Sequence, residues 1–577
     1  MRLSGTWPHA LRLLLAISLH HVAVTARAVP EIVLSPDSHG SLGAVASEAA
    51  ECSAIGRDLM ARGGNAADAL VGTTFCVGVI GMYHSGIGGG GFAMIRDAHG
   101  NYEAVDFREA APAAAHQDMY QGNVNGSIVG GLAVGVPSEV RGLEYIHKKY
   151  GVLPWTTVMQ GAIHVARNGF KVTSDTVGYM KSGVAGREFN YLSQDPSFAQ
   201  DFAPNGTLLG EGDIMVRKRY ADTLQKIAEQ GGDAFYKGEI AEAMVKYIQQ
   251  TNGSMTLDDL SSYEVLSRPV KSVRYRGVDL HTVGAPASGA VCLNILKTME
   301  QFDLPDRGGD VNLTAHRFAE AMRFAYGSRV ELGDPDYVDG VRAFEDRMLS
   351  EVNARRIRDN ISDDHTQPVE AYDPSDMYAP DGHGTSHIVT ADASGMATSL
   401  TTTINLLFGA QIMDPTSGVI LNNEMNDFSI PGVPNEFGFQ PSEANYIRPG
   451  KRPLSSVTPV IVSDPRRGGR LVATVGAAGG SRIITATAAA LWHVLEHAMS
   501  MREALAEPRM HDQLMPNTVL LEYKFGNGTA ASLAARGHNL TYVGEGLSAV
   551  QGIKVLDDGT FEAASEPRQR NSAGLTI

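Results

Sequence analysis

The chain has 577 residues, of which 43% are hydrophobic and 19% charged, and a formal net charge of −16 at pH 7. This composition is typical of a globular protein with a large core. The acidic balance, together with the lack of a dense run of Lys and Arg, argues against a nucleic-acid partner.

Residues 1–28 are predicted to be a signal peptide. Arg2 and Arg12 accompany a short apolar run at 13–19, and Ala26-Arg27-Ala28 places small residues where a signal peptidase reads the chain. The run is too short for a comfortable membrane span, although an uncleaved anchor and a frayed apolar N-terminus are alternatives. We expect the chain to enter the secretory pathway and reach an extracellular, cell-surface or vacuolar location.

Sequons and cysteines fit that route. There are roughly two to three times as many Asn-x-Ser/Thr sequons as chance would place, and such sequons indicate surface loops of a secreted chain. They begin at Asn125, Asn205, Asn252, Asn312, Asn360, Asn527 and Asn539.

Three cysteines are present, Cys52, Cys76 and Cys292. In an oxidising compartment the simplest arrangement is one disulfide and one free thiol. Cys292 lies in an apolar stretch, which is typical of a buried free thiol. No group of residues has the spacing of metal ligands, and we expect no metal or other cofactor.

Helical patterns dominate the first part of the chain. Residues 47–61 are predicted to form a helix, and Asn65 is predicted to cap a second one at 66–80. A glycine-rich loop at 86–91 then precedes a predicted strand at 92–96. A dinucleotide-binding loop needs the strand before it and the helix after it, so we interpret this loop as a site of close backbone packing. Further helices are predicted at 220–229 and 241–250.

The pattern changes at Thr385. Residues 372–384 are rich in Asp, Pro and Gly and are predicted to form an exposed loop. Residues 385–404 then alternate around Ala393-Ser394-Gly395, which predicts a β-hairpin. A three-residue turn places Thr385 opposite Thr403, with Asn405 on the same face. From the hairpin alone, a Thr-rich strand without a catalytic role is the better interpretation. An Ala-rich helix is predicted at 483–498.

Seven motifs in chain order resemble the γ-glutamyltransferase family of N-terminal-nucleophile hydrolases. They are His84-Ser85-Gly86-Ile87-Gly88-Gly89-Gly90, Arg108-Glu109-Ala110-Ala111-Pro112, Gly384-Thr385-Ser386-His387, Thr402-Thr403-Ile404-Asn405, Asn422-Asn423-Glu424-Met425-Asn426-Asp427-Phe428, Pro453-Leu454-Ser455-Ser456 and Gly476-Ala477-Ala478-Gly479-Gly480.

The resemblance extends from about residue 44 to the C-terminus and implies a fold. That fold is an α/β (α+β) four-layer αββα sandwich. In it a large chain, 29–384, and a small catalytic chain, 385–577, form one intertwined domain after autocleavage between Gly384 and Thr385. The resemblance also implies a Cys52–Cys76 disulfide, whose α-carbons should lie within about 7 Å of each other.

The resemblance assigns roles as well. Thr385 would be the nucleophile, Thr403 would hydrogen-bond its hydroxyl, and the N–H groups of Gly479 and Gly480 would stabilise the oxyanion. Gly384 would suit the cleavage site because glycine adopts backbone angles closed to other residues. The substrate's α-ammonium would be held by Glu424, Asp427 and Asn405. Its α-carboxylate would be held by Arg108, Ser455 and Ser456.

The implied reaction is cleavage of the γ-glutamyl amide of glutathione and γ-glutamyl conjugates. The γ-glutamyl group would pass to water or to an amino-acid or dipeptide acceptor, and the sequence does not predict the ratio of the two. An acylase for a cephalosporin-type amide or poly-γ-glutamate is one alternative, and a secreted glycoprotein without catalysis is another. The complete set of residues for the amino-acid end favours the first function.

Overall fold

The computed structural model describes residues 39–303, 310–372, 377–378, 384–433, 440–546 and 548–577. The predicted signal peptide, 1–28, lies outside the described residues. His39–Ile577 form one compact unit. Within the described part of the chain, no helix combines the length and apolar character needed to cross a membrane.

The described strands are numbered in chain order. They are β1 (Gly43–Ser47), β2 (Gly90–Arg96), β3 (Tyr102–Phe107), β4 (Phe170–Lys171), β5 (Ile214–Met215), β6 (Leu266–Arg268), β7 (Val270–Tyr275), β8 (Val278–Val283), β9 (Met377–Tyr378), β10 (Gly384–Asp392), β11 (Ala397–Asn405), β12 (Gln440–Pro441), β13 (Val460–Asp464), β14 (Arg470–Ala478), β15 (Met510–His511), β16 (Val519–Glu522), β17 (Leu540–Val543), β18 (Ala549–Val555), β19 (Phe561–Ala564) and β20 (Ala573–Thr576).

The described α-helices are numbered in the same way. They are α1 (Ala50–Ala61), α2 (Ala66–Ile80), α3 (Glu139–Tyr150), α4 (Trp155–Asn168), α5 (Ser174–Gly183), α6 (Tyr191–Gln194), α7 (Pro196–Phe202), α8 (Lys218–Gln230), α9 (Asp233–Tyr236), α10 (Glu239–Gln250), α11 (Leu257–Ser261), α12 (Gly289–Glu300), α13 (Val311–Arg329), α14 (Val341–Met348), α15 (Glu351–Asn360), α16 (Arg482–Glu496), α17 (Met501–Ala506) and α18 (Asn527–Ala535).

Two antiparallel sheets form the centre of the molecule. The first has the order β20-β1-β10-β11-β2-β3-β6 and the second β19-β18-β14-β13-β8-β7. Each sheet contains strands from before and after Thr385. The predicted large and small segments are therefore intertwined in both sheets, as the resemblance implied.

Three apolar clusters separate four layers. Ile388 of β10 packs outward with α2 and α8, whereas the next residue, Val389, packs between the sheets against Ile461 of β13. Successive side chains of a strand point to opposite faces, so one strand serves both cores. The outer face of the second sheet packs against α12, α13 and α16. These layers are helix, sheet, sheet and helix, which confirms the predicted αββα sandwich.

Most predicted elements lie close to the observed ones. The helix at 66–80 is α2, and Asn65 caps it in a reciprocal capping box with Asp68. The helix predicted at 47–61 begins only at Ala50, because Ser47 ends strand β1 and pairs with Ala573. The other predicted helices correspond to α8, α10 and α16, and the predicted strand is β2.

The glycine-rich loop packs closely against the chain that leads to the site. A β-carbon on Gly88 would lie 2.0 Å from the Ile420 carbonyl oxygen, and one on Gly89 would lie 2.0 Å from that of Thr403. Real β-carbons do not approach backbone so closely, which leaves glycine as the residue that fits. The interpretation as a close-packing loop is confirmed.

The disulfide between Cys52 and Cys76 is present, with a Cα–Cα distance of 5.3 Å, and joins α1 to α2. Cys292 is a free, buried thiol. Both predictions are confirmed.

The predicted hairpin is formed by β10 and β11, and its turn is closed by Asp392 and Met396. The predicted register holds from Ser386 to Ala391 but shifts at Thr385, where a bulge brings Gly384 opposite Asn405. The predicted loop at 372–384 is only partly described. Tyr372 is buried, contrary to prediction, and β9 pairs with β12.

Candidate active site

One pocket gathers side chains that are far apart in the sequence. It contains every predicted catalytic and substrate-binding residue except Gly479, which adjoins it. Its lining is Arg108, Arg329, Thr385, Thr403, Asn405, Glu424, Asp427, Asn445, Leu454, Ser455, Ser456, Val457, Gly480 and Ile483.

Thr385 lies at the start of β10 and is 7% exposed. The Thr403 hydroxyl donates to the Gly384 carbonyl oxygen at 2.6 Å and accepts from the Asn405 backbone N–H at 2.7 Å. The predicted bond from Thr403 to the Thr385 hydroxyl is therefore not the one observed. The bulge at Thr385 explains the difference, because it turns Thr403 toward the peptide bond that precedes Thr385.

Gly384 is required for a different reason from the one predicted. Its φ is not in the left-handed region. Instead, a β-carbon at this position would lie 2.2 Å from the Asn405 carbonyl oxygen. Close backbone approach in the bulge, rather than an unusual backbone angle, explains the glycine.

Gly479 and Gly480 connect the end of β14 to α16. Both have positive φ values, 126° and 62°, which favour glycine over residues with a side chain. Gly480 lines the pocket beside Thr385. Backbone N–H groups at the start of a helix are suited to stabilising negative charge, as the oxyanion role would require.

Arg108 also lines the pocket and is 1% exposed. Its guanidinium pairs with Glu424 and, at 2.5 Å, with Asp427. Burial by itself would lower the pKa of Arg108, but the two carboxylates outweigh it and hold the pKa above its ordinary value. The predicted anion-binding and cation-binding groups thus lie in direct contact with each other.

Glu109 lies behind this cluster, 3.9 Å from the Arg108 guanidinium. Neither carboxyl oxygen has a hydrogen-bond partner among the described residues. Burial raises the pKa of Glu109 to about 8, although Arg108 opposes the shift. Burial therefore favours the protonated, neutral form of this side chain.

Asn405 has a positive φ of 70°, and its Nδ2 donates to the Asn423 carbonyl at 3.0 Å. Its Oδ1 is an acceptor, and Asn405 lines the same pocket as Glu424. The three residues predicted to hold an ammonium therefore line one pocket, and each can supply an oxygen acceptor.

The predicted carboxylate-binding serines lie on the segment that follows Leu454. Ser455 Oγ accepts from the Val457 N–H at 3.2 Å, and Ser456 Oγ accepts from the Arg329 guanidinium at 3.1 Å. Arg329 and Asn445 line the pocket as well, although neither was predicted to belong to the site. A cation at the end of a helix is ordinarily explained by the helix dipole, and no local pattern distinguishes this arginine.

The stacked antiparallel sheets, their helical outer layers and a threonine at the start of a central strand define an N-terminal-nucleophile hydrolase. The model of the gamma-glutamyltranspeptidase family matches residues 52–576. The chain therefore belongs to that family.

Two fungal relatives are similar over almost the whole chain. The glutathione hydrolase proenzyme of Arthroderma benhamiae is 49% identical, with 93% of each chain covered. The glutathione hydrolase of Aspergillus flavus is 46% identical and covers 94% of this chain and 90% of its own.

Solved structures agree on the fold. A cephalosporin acylase from Bacillus halodurans has a TM-score of 0.81 at 22% identity, covering 95% of this chain and 99% of its own. A gamma-glutamyltranspeptidase from Helicobacter pylori has a TM-score of 0.52 at 35% identity, covering 56% of this chain and 92% of its own.

Proposed function

We propose that the chain is a γ-glutamyltransferase and glutathione hydrolase that cleaves the γ-glutamyl amide of glutathione and γ-glutamyl conjugates. The observation that carries this proposal is a single pocket lined both by Arg108, Glu424 and Asp427 and by Thr385 and Gly480. A γ-glutamyl group is a zwitterion at its α-carbon and an amide at its far end. The pocket matches both ends, and the fungal relatives carry the name of this activity.

Substrate binding replaces ion pairs within the site. The substrate carboxylate takes a place beside Arg108 and the two serines, while its ammonium takes a place among Glu424, Asp427 and Asn405. Charge-assisted hydrogen bonds are the stronger kind, and a guanidinium can bind a carboxylate with two of them. The substrate carboxylate replaces an acid as the partner of Arg108, and the substrate ammonium replaces Arg108 as the partner of the acids.

Thr385 then attacks the γ-carbonyl. Its own α-amine, freed by cleavage of the preceding bond, takes the hydroxyl proton and delivers it to the leaving amine. The N–H groups of Gly479 and Gly480 stabilise the tetrahedral oxyanion. The resulting γ-glutamyl ester is resolved by water, which yields glutamate, or by the amine of an amino acid or dipeptide, which yields a new γ-glutamyl amide.

The chain first cleaves its own Gly384–Thr385 bond. The Thr385 hydroxyl attacks the Gly384 carbonyl, the acyl group shifts from nitrogen to oxygen, and water cleaves the ester. The hydrogen bond from Thr403 to this carbonyl supports the proposal, because it polarises the carbonyl that is attacked. The products are a large chain ending at Gly384 and a small chain beginning at Thr385. The segment before Gly384 is expected to cover the pocket in the uncleaved chain, but residues 379–383 lie outside the described residues.

The secretory route remains part of the proposal. Six of the seven sequon asparagines are exposed and Asn312 is half-exposed, so the folded chain presents these positions to glycosylation. Occupied sequons and a mature N-terminus beyond residue 28, found by mass spectrometry of protein from the native host, would support it. Unmodified asparagines throughout would count against it.

Product analysis tests the activity directly. Purified protein is incubated with glutathione, with and without a dipeptide acceptor, and glutamate, cysteinylglycine and the new γ-glutamyl peptide are measured. Cephalosporin-type and poly-γ-glutamate substrates are run in parallel. Cleavage of glutathione with a new N-terminus at Thr385 is expected. Preference for a substrate that lacks the α-ammonium and α-carboxylate would favour the acylase alternative. The cephalosporin acylase from Bacillus halodurans supports that alternative only through its similar fold.

A further inference from the structure

The pocket contains a second guanidinium in addition to Arg108. Arg329 is the last residue of α13, is 3% exposed, and lines the pocket together with Ser455 and Ser456. The turns of this 19-residue helix that precede Arg329 are buried from Phe318 to Gly327.

Arg329 holds both serine positions. Its Nη2 donates to Ser456 Oγ at 3.1 Å, and its Nε donates to Ser288 Oγ at 3.1 Å. Ser288 Oγ in turn donates to the Ser455 carbonyl at 2.6 Å, and the Ser288 N–H donates to the Val457 carbonyl at 2.9 Å. The guanidinium therefore fixes the segment 455–457 through one direct contact and one relay.

The contact with Ser456 also decides the direction of its hydroxyl. A serine hydroxyl has one hydrogen to donate and two lone pairs to accept with. Arg329 has only donors, so it occupies a lone pair of Ser456. The hydroxyl hydrogen must point elsewhere and can serve as a donor to a carboxylate in the pocket.

The charge of Arg329 matters because Arg108 is surrounded by acids. Glu424 and Asp427 both pair with the single guanidinium of Arg108. A substrate carboxylate must therefore compete with two acids for that group. A second guanidinium on the serine side raises the local potential where that carboxylate must lie.

We propose that Arg329 is a positioning and specificity-determining residue for the substrate's α-carboxylate. It holds Ser456 as a hydrogen-bond donor, fixes the segment that carries both serines and supplies positive charge behind them. The inference rests on the proposed γ-glutamyl activity. It concerns selection of substrates with a free α-carboxylate over uncharged analogues, not the chemistry at Thr385.

The test compares two substrates and three variants. The substrates are a γ-glutamyl anilide and the same anilide with its α-carboxylate replaced by a carboxamide. Arg329→Met removes the charge and the donors, and Arg329→Lys restores the charge without the planar fork. Ser288→Ala removes only the relay to Ser455. Arg317→Met, on the same helix but paired with Asp363 outside the pocket, is the matched control.

For Arg329→Met we expect the KM of the γ-glutamyl anilide to rise by about tenfold or more while kcat changes by less than about threefold. The preference for carboxylate over carboxamide should fall by a similar factor. Arg329→Lys should restore part of the lost affinity, Ser288→Ala should show a smaller rise in KM, and Arg317→Met should match wild type. Kinetic values refer to the processed fraction, measured on a denaturing gel.

An unchanged KM in Arg329→Met, an equal loss for both substrates, or a wild type that does not discriminate between them would each overturn the inference. If Arg329→Met does not fold, Arg329→Lys and Ser288→Ala decide by the same criteria. Failure of the proposed function looks different, because the wild-type protein itself would then release no γ-glutamyl group.

Discussion

At the scale of single residues, the site holds opposite charges in contact before any substrate is considered. Arg108 pairs with both Glu424 and Asp427, and of these three side chains only Asp427 is appreciably exposed, at 20%. Buried charges require partners, and these three provide them for each other. A zwitterionic substrate offers the same two charges and can replace the internal pairs, whereas a singly charged one would leave a buried charge unmatched.

Replacing Arg108 by lysine tests the guanidinium geometry. Arg108→Lys keeps the charge but loses the planar fork, so we expect kcat/KM to fall by the equivalent of about 2–4 kcal/mol. Arg141→Lys, on α3 and outside the pocket, is the control and should retain wild-type kinetics. An unchanged kcat/KM in Arg108→Lys would remove Arg108 from the substrate site.

Replacing Glu109 by glutamine tests the buried neutral carboxyl. The pKa of Glu109 is raised from 4.5 to about 8, so between these values the unfolded chain loses a proton that the folded chain retains. The stability contribution of this group therefore falls as pH rises, by at most about 1.4 kcal/mol per pH unit. A glutamine side chain in its place would have nearly the same shape and no such dependence on pH.

We expect the thermal midpoint of Glu109→Gln to increase relative to that of wild type as pH rises from 5 to 8. Differential scanning fluorimetry measures both midpoints. Glu242→Gln, at an exposed position on α10, should show no such trend. A constant difference between Glu109→Gln and wild type would indicate that Glu109 is ionised in the folded protein.

At the scale of elements, polar as well as apolar contacts hold the two sheets together. Ser399 Oγ of β11 donates to the Val475 carbonyl of β14 at 3.1 Å, and Thr474 Oγ1 of β14 donates to the Thr398 carbonyl of β11 at 2.9 Å. These bonds cross between the two sheets. His387 of β10 lies between them, with Nδ1 2.8 Å from Thr401 Oγ1 and Nε2 3.2 Å from Ser399 Oγ. Burial lowers the pKa of His387 to about 3, so it packs as a neutral ring. Gly476 of β14 faces this ring directly.

Gly476→Ala should separate the sheets locally. A β-carbon at this position would lie 2.2 Å from His387 Cε1, and such overpacking costs about 1–3 kcal/mol of unfolding free energy. Gly528→Ala in α18, where a β-carbon meets nothing within 4 Å, is the control and should be neutral or slightly stabilising. Chemical denaturation measures both. Equal stability of Gly476→Ala and wild type would mean that the sheets adjust without cost.

At the scale of the whole molecule, cleavage at Thr385 would divide a chain whose two parts share both sheets. β1 lies between β20 and β10, and β8 lies beside β13. Separation would break backbone pairing in both sheets, so the two chains should remain associated under native conditions. All three cysteines precede Gly384, so no disulfide joins the chains.

Thr385→Ala should therefore remain a single, inactive chain, while Thr385→Ser should still cleave, more slowly. Thr156→Ala, at an exposed threonine of α4 that belongs to no sequon, should cleave and act as wild type does. Wild type should run as two chains on a non-reducing denaturing gel and as one species in size exclusion. Splitting of purified Thr385→Ala at this bond without added protease would contradict self-cleavage by Thr385.

Local signals in the sequence determined where helices and strands form and which residues line the site. Asn65 and Asp68 specify the start of α2 through a cap formed within four residues, and the turn at 393–395 specifies the hairpin register because strand pairing follows from the turn. The ordered motifs identified the family, and with it the αββα layers and the predicted residues that meet in the pocket.

Tertiary structure decided what depends on contacts between distant segments. Ser47 belongs to a strand because β20 pairs with it, and Thr403 bonds to the Gly384 carbonyl because a bulge shifts the register by one residue. The pairing of Arg108 with two acids and the contact of Arg329 with Ser456 join segments more than 100 residues apart. Hydrogen bonds and ion pairs require a geometry of a few tenths of an ångström, and only the packed fold sets positions that closely.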